Sequence, residues 1–281
     1  MAINLSSAFV TLFDAEVKQA YQASAVLRPA VRVRSGVEGS TYKFPKIGKG
    51  VAQVRIPQSD VSPLNVTYSQ VTCTLADYIA AEYSDIFMQA KVNFDERREL
   101  VQVVSNAIGR RQDQLILDAL AASSTTLTVG NDIGGTDTNL NVAKLRDAKR
   151  QLDSNNVPMS DRHIIIHASS LSSLLSETSV TSSDFNTVKA LVQGDINTFL
   201  GFQFHVLGDR GEGGLPKDGN NDRTVYAFHK DALGMAEGIA PKTEINYIPE
   251  KTSFLVASMF SAGAVAIDDE GIVKITCREA A

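Results

Sequence analysis

Residues 41–79 read TYKFPKIGKGVAQVRI (41–56), PQSDVSP (57–63) and LNVTYSQVTCTLADYI (64–79): two extended arms around a turn-rich centre. Val, Thr, Tyr and Ile recur through both arms, and Gly48, Gly50, Pro57 and Pro63 punctuate them, which is the chemistry of strands and turns. At roughly 3.3 Å per residue each arm would span about 50 Å, more than the compact body of a domain can cover. If the arms pair, the hairpin projects. An uncovered hairpin of that length invites pairing with other chains, so the segment itself predicts assembly against a partner surface. Lys43, Lys46, Lys49, Arg55 and Asp60 lie along it, where they would suppress random pairing and permit a specific one.

Upstream, the apolar residues Phe9, Val10, Phe13, Val17, Ala20 and Tyr21 fall at helical spacing, which predicts an amphipathic helix over 7–23 with Ser6 or Ser7 as its cap. No partner for that stripe lies nearby in sequence, so a neighbouring subunit is as good a docking site as the chain's own core. Downstream, Leu100, Val103, Val104, Ala107, Ile108, Leu115, Leu117 and Leu120 predict a long helix over 94–122. Asn93 is its expected cap, Asp95 and Glu96 lie in the first turn where the dipole favours acids, and the length would be about 43 Å at 1.5 Å per residue. A second helix is expected over 141–154 on the stripe Val142, Leu145, Ala148 and Leu152, ended by Asn155, Asn156 and Pro158. Beyond it the pattern predicts a buried strand at 163–167, helices near 170–177 and over 183–193, a strand at 202–207, a polar loop over 208–222, and a strand-rich tail over 224–278 with a turn at 268–271. Strands, a long helix, a mixed unit and then strands that must pair back over long distances define an α+β chain rather than an alternating, doubly wound one.

Composition narrows the functional classes. Hydrophobic residues make up 43% of the chain, ordinary for a folded globular protein, and 27 basic against 32 acidic residues leave a net charge of −5. A protein gripping nucleic acid through many phosphates is usually basic, so a sequence-reading DNA binder is disfavoured, while a container wall that must not stick to its cargo is not. No apolar run approaches the roughly 20 residues of a membrane helix, and Met1 to Val10 lacks the basic start and apolar block of a signal peptide; a soluble product, intracellular when made, is expected. Cys73 and Cys277 have no metal-type spacing and are expected as buried free thiols.

The fragments of catalytic motifs are incomplete. His163 and His167 enclose Ile164, Ile165 and Ile166 with no Glu beside the first His, and in a strand the two rings would stand about 13 Å apart, too far for one zinc. Asp218, Asn220 and Asp222 open like a calcium loop, but Arg223 and His229 occupy the positions that need Gly and Glu. Gly208, Gly211, Gly213 and Gly214 lack a following Gly-Lys-Ser/Thr, so a flexible loop is expected there. No Gly-x-Ser-x-Gly elbow occurs. Asp268, Asp269 and Glu270 are expected as a solvated corner. No catalytic residue, cofactor or metal is assigned. Arg97, Arg98, Arg110 and Arg111 on the long helix are the charged set most readily tied to function, through ion pairs with a neighbour's acids.

The order of elements, together with the closing run EINYIPEKTSFLVASMFSAGAVAIDDEGIVKI (244–275), resembles the major capsid proteins of tailed double-stranded DNA bacteriophages with the HK-97-like fold. The resemblance implies an N-terminal arm over 1–30, an E-loop hairpin with flanking strands over 31–80, a peripheral domain with its spine helix over 81–154, an axial domain over 155–259 and C-terminal strands over 260–281 returning to the peripheral domain. It implies a subunit that assembles with itself into hexamers and pentamers of an icosahedral virion capsid, built in the bacterial host cytoplasm around double-stranded DNA touched weakly and without sequence specificity. Portal, separate scaffolding and decoration proteins are the other expected partners, and no membrane is. Inter-subunit contacts are expected at Phe9, Phe13 and Val17 of the arm, at Tyr42, Phe44, Arg55, Asp60 and Tyr68 of the hairpin, and at the four arginines. An encapsulin-type compartment shell is the near alternative, excluded by a neighbouring portal or terminase gene; a hydrolase whose site converges only in three dimensions is the distant one.

Overall fold

The computed structural model describes residues 22, 24–55, 57–58, 60–61, 63–91, 95–177 and 198–279. The helices expected over 7–23 and 183–193 lie outside these residues, apart from the tail end of the first, and with them Phe9, Phe13 and Val17.

Two sheets and one long helix make the body. The first sheet runs β1 (Arg32–Ser35), β10 (Leu233–Ile248), β11 (Ser253–Ala266), β4 (Ala76–Asp85); β1 is parallel to β10 and the other pairs are antiparallel. The second runs β5 (Thr128–Val129), β12 (Ile272–Arg278), β9 (Asp222–His229), β6 (Arg162–His167), β8 (Phe202–Leu207), β7 (Thr198–Phe199). Short α1 (Ile86–Gln89) precedes the long helix α2 (Glu96–Ala121), and α3 (Val142–Ser154) and α4 (Ala168–Ser176) flank the second sheet.

The helix limits follow from capping. Asp95, not Asn93, caps α2, its carboxylate accepting from the backbone N–H of Arg98. Asn141 stands one residue outside α3 and accepts from the N–H of Lys144 at 2.8 Å. The run Arg162–Ile166 is buried throughout because both faces of its sheet are covered, which is why it reads as a continuous apolar block.

Helix α2 is shared between the sheets. Ile108, Ile116, Leu117 and Leu120 pack in one core with Met235, Phe260 and Ala262 of the first sheet and Ile165, Leu207, Tyr226 and Phe228 of the second. On the far face of the second sheet, Ile164, Ile166, Val225 and Val273 pack against Leu145, Ala148 and Leu152 of α3 and Leu174 of α4.

Strand pairing divides the chain differently from the partition expected at 155 and 259. β10 and much of β11 lie within 155–259, yet they join β4 in the sheet that α2 covers, while β12, expected to return to the peripheral domain over 81–154, pairs with β5 of that range and packs on α3 but also pairs with β9. The reason is register: ten consecutive pairs from Ser253↔Asp85 to Ala262↔Ala76 tie β11 to β4, whereas β12 offers Val273, Ile275 and Cys277 to the α3 side.

The hairpin is shorter than its composition suggested. β2 (Thr41–Ile47) pairs with β3 (Tyr68–Thr74) over seven residues, about 23 Å at 3.3 Å each. One further bond runs from Gly48 N–H to the Thr67 carbonyl at 2.8 Å, and beyond it the described residues form no strand. Pro45 is tolerated because the ribbon has only two strands, so a proline finds an open edge. Residues from Ala76 onward leave the ribbon for the first sheet as β4, so Ile79 belongs to the body.

Candidate assembly surfaces

The hairpin has a fixed root and a bare end. Phe44 is 1% exposed, in a small core with Cys73, Ala236 and Ile267, and the Tyr42 ring meets it edge-on at 4.9 Å. Phe44, expected at a subunit boundary, therefore anchors the hairpin to its own body. Gly263 of β11 lets the ribbon come close: a Cβ there would stand 2.1 Å from the Thr74 carbonyl oxygen. Lys46 donates to Asp268 at 2.8 Å, and Lys49 pairs with Glu270. The corner over 268–271 is thus more than solvated; it supplies counter-ions for the hairpin. By contrast Val51, Val54 and Val61 are 81, 93 and 90% exposed, and Tyr68 is 79% exposed. Arg55 and Asp60 are exposed beside them.

The four helix arginines do not form one cluster. Arg97 lies 3.8 Å from Asp95 and its guanidinium stands 4.8 Å from the Phe254 ring; Arg111 covers Tyr78 at the same distance. Arg110 donates to Glu212 at 2.8 Å and to Gln22 at 3.1 Å. Three of the four thus have partners in their own chain. Arg98 is exposed, and with Asp95, Arg97, Val101 and Ile245 it lines a shallow crevice where α2 begins.

Buried charges that sequence reasoning missed hold the joints behind these surfaces. Asp113, on the apolar side of α2, accepts from the backbone N–H groups of Val26 and Leu27 and pairs with Arg210 at 2.8 Å. Glu237, 1% exposed on β10, takes a bidentate pair from Arg28 at 2.8 and 2.9 Å and further hydrogen bonds from Ser35 and Gln112. Burial alone would raise the Glu237 pKa, yet these partners, Arg28 first, hold it below the usual carboxylate range. Lys144 buries its ammonium on the carbonyls of Thr138 and Thr276, and burial pushes its pKa down. Their signal in the sequence is a charge in an apolar stripe, Asp113 among Ile108, Ile116 and Leu117 or Glu237 after Leu233 and Met235; the partners are far away in the chain.

One constellation imitates a hydrolase. Ser169 Oγ is 2.9 Å from His167 Nδ1 and donates to Glu279, and the same Nδ1 is 3.1 Å from the Glu279 carboxylate. In a serine relay the hydroxyl and the acid occupy opposite ring nitrogens. Here Ser169 and Glu279 both gather on Nδ1, Asp209 stands 3.7 Å from Nε2, beyond hydrogen-bond reach, and Arg223 and Lys217 close on Glu279 as well. Burial would raise the Glu279 pKa, but the bonds from Ser169, Arg223 and Lys217 together draw it down to about 2. The arrangement clamps Glu279, just past the end of β12, to Ser169, Lys217 and Arg223.

The remaining motif fragments resolve similarly. Asp218 accepts from the backbone N–H groups of Asn220 and Asp222, and Asp222 pairs with Arg278, so the calcium-like loop turns on itself. The glycine-rich loop is tied down instead of loose, since Gly214 N–H donates to Gln114 at 2.8 Å and Arg210 reaches Asp113. His163 pairs with His205, not His167. Among the described residues no three His, Cys, Asp or Glu side chains converge on a metal geometry, both cysteines are free and buried, and no helix is long and apolar enough to cross a membrane.

Comparison with known proteins places this architecture. The family model described as "Phage capsid protein" matches residues 5–279. No curated protein matches the sequence. Among solved structures, the capsid of cyanophage P-SCSP1u superposes with a TM-score of 0.77 at 15% identity, over 100% of this chain and 96% of that one. The head structure of Helicobacter pylori bacteriophage KHP40 gives 0.77 at 11% identity, over 99% and 97%. Mycobacterium phage Che8 gives 0.69 at 16% identity, over 98% of each chain. At such identities the superpositions speak for the fold, and the family match speaks for the lineage. A rooted hairpin with an exposed end, a helix shared by two sheets and a family match over almost the whole length converge: the chain belongs to the phage capsid protein family, as a structural major capsid protein with the HK-97-like fold.

Proposed function

We propose that the subunit builds its shell by laying the exposed end of the hairpin across the neighbouring subunit, as hexamers and pentamers of an icosahedral head. The observation that carries this reading is the contrast along one ribbon, where Phe44 is buried while Val51, Val54 and Val61 are bare. Surface of that kind is usually covered by a partner. Arg55 and Asp60 supply opposite charges for register, and the Arg98 crevice at the start of α2 is an acceptor of matching chemistry. On this reading the sheet under α2 is the peripheral domain and the second sheet with α3 and α4 is the axial domain. Many modest contacts, each burying apolar area at about 25 cal/mol per Å², sum to a durable wall. Double-stranded DNA fills the head without sequence-specific contacts, portal and separate scaffolding proteins direct assembly in the bacterial cytoplasm, and the chain catalyses no reaction.

Electron microscopy and sizing of the protein, alone and co-expressed with its neighbouring genes, test this reading. Closed shells, tubes or rings of five and six are expected, with DNA-filled heads in the co-expression. The double variant Val54→Asp, Val61→Asp should keep the subunit's thermal stability within about 0.5 kcal/mol, since both residues are at the surface, and should lose assembly. Normal shells from that variant, or a wild-type protein that stays monomeric under every condition, would overturn the proposal.

A further inference from the structure

A pair of histidines lies where the second sheet meets α2. His163 on β6 and His205 on β8 stand diagonally on neighbouring parallel strands, on the face that carries Ile165 and Leu207. His163 Nδ1 is 3.1 Å from His205 Nε2, so one ring donates and the other accepts. His163 is 4% exposed, stacks obliquely on Phe228 at 5.8 Å, and its Nε2 has no hydrogen-bond partner among the described residues. Such a pair is stable with both rings neutral. A proton on each would set two cations at hydrogen-bond distance, one ring buried and the other half-buried.

The charges facing the pair come from every side of the joint. His205 itself, His229 at the end of β9 and the adjacent Lys230 oppose a proton on His163, and Asp161 ahead of β6 favours one. Asp113 of α2 faces His205, and that carboxylate is already engaged by Arg210 and two backbone N–H groups. Asp113 therefore has its hydrogen-bonding capacity largely committed, and Asp161 is the other acid that favours a proton on the pair.

We propose that His163 and His205 form an acid-sensitive joint between the six-stranded sheet and α2, which loosens when the pair is protonated. Burial first, then His205, lowers the His163 pKa from 6.5 to about 4, and burial lowers that of His205. A group depressed in the folded state contributes fully above its unfolded value, and the contribution is lost as pH falls from about 6.5 towards about 4. At pH 4.5 this weakens the folding equilibrium by on the order of ten- to a hundredfold relative to pH 7.5.

Denaturant unfolding of the full-length subunit at pH 7.5 and 4.5, for wild type, His163→Phe and His205→Gln, tests this joint. His163→Phe should remove most of the acid-induced loss and His205→Gln part of it, with both variants near wild type at pH 7.5. A purely structural role would shift both pH values equally. Should His163→Phe fail to fold, histidine NMR titration of the wild-type protein decides: ring signals of this pair titrating near the ordinary value would overturn the proposal, as would equal acid losses in wild type and folded variants. Assembly is not a readout here, so failure of the joint and failure of the shell reading are separable.

Discussion

Asp113 shows how much a single side chain carries. It is a fully buried carboxylate on a helix face that otherwise offers Ile108, Ile116 and Leu117 to the core, and it fixes three segments at once: α2, the chain leaving the N-terminal region at Val26 and Leu27, and the loop bearing Arg210. Asp113→Asn would keep the shape but remove the charge, leaving Arg210, whose side chain is 4% exposed, without its counter-ion. Breaking a buried pair in this way costs about 3–5 kcal/mol, so the urea midpoint should fall sharply at neutral pH. The sequence marks Asp113 as unusual, because an acid interrupts an apolar stripe, but its partners lie 87 and 97 residues away, a distance at which no local pattern points to them. Phe44 teaches the same lesson in reverse. Its alternation in an exposed-looking strand suggests an outward face, and only the approach of Ala236 and Ile267 makes it an inward one.

Elements were legible to the degree that their signals are local. Asn141 at the head of α3 and the stripe behind it could be read because capping and periodicity act within a few residues. The pairing of β2 with β3 was legible in kind but not in length, since the point where a ribbon stops depends on what the body offers it. Close approach between elements left no such trace. Gly263 sits in an ordinary small-residue run, and nothing local says that the Thr74 carbonyl lies against it. Gly263→Ala would force the β3–β4 junction away from β11, at a cost of about 1–3 kcal/mol by the usual penalty for overpacking. Lower thermal stability with faster proteolysis in the hairpin is the expected pairing of results. Lys46→Ala, by contrast, breaks a pair whose side chains are each 37% exposed, and should change subunit stability by less than about 1 kcal/mol.

Across the whole molecule, the core under α2 draws on both sheets, so the two layers are not independent units. Leu117 is 1% exposed within it. Leu117→Ala should cost about 2–5 kcal/mol and shift the melting of both sheets together, seen as one calorimetric transition at a lower temperature. Two separate transitions, with only one displaced, would contradict the shared core. One shared core with a ribbon rooted at Phe44 and exposed at its end is also what a shell subunit requires, since it must keep its shape while its contacts meet those of its neighbours.

The sequence by itself determined α2, α3 and α4, the Asn141 cap, the extended character of the hairpin and the α+β class, because periodicity, capping and turn chemistry are written in neighbouring residues. Resemblance in the order of elements and in the closing run pointed to the capsid family. Only the tertiary structure decided which strands share a sheet, moving β10 and β11 beneath α2 and β12 beside β9. It alone brought Lys46 to Asp268, Arg28 to Glu237 and His163 to His205, pairs separated by 222, 209 and 42 positions. Long-range strand pairing and buried polar contacts depend on how whole layers stack, and local sequence signals fade well before such distances.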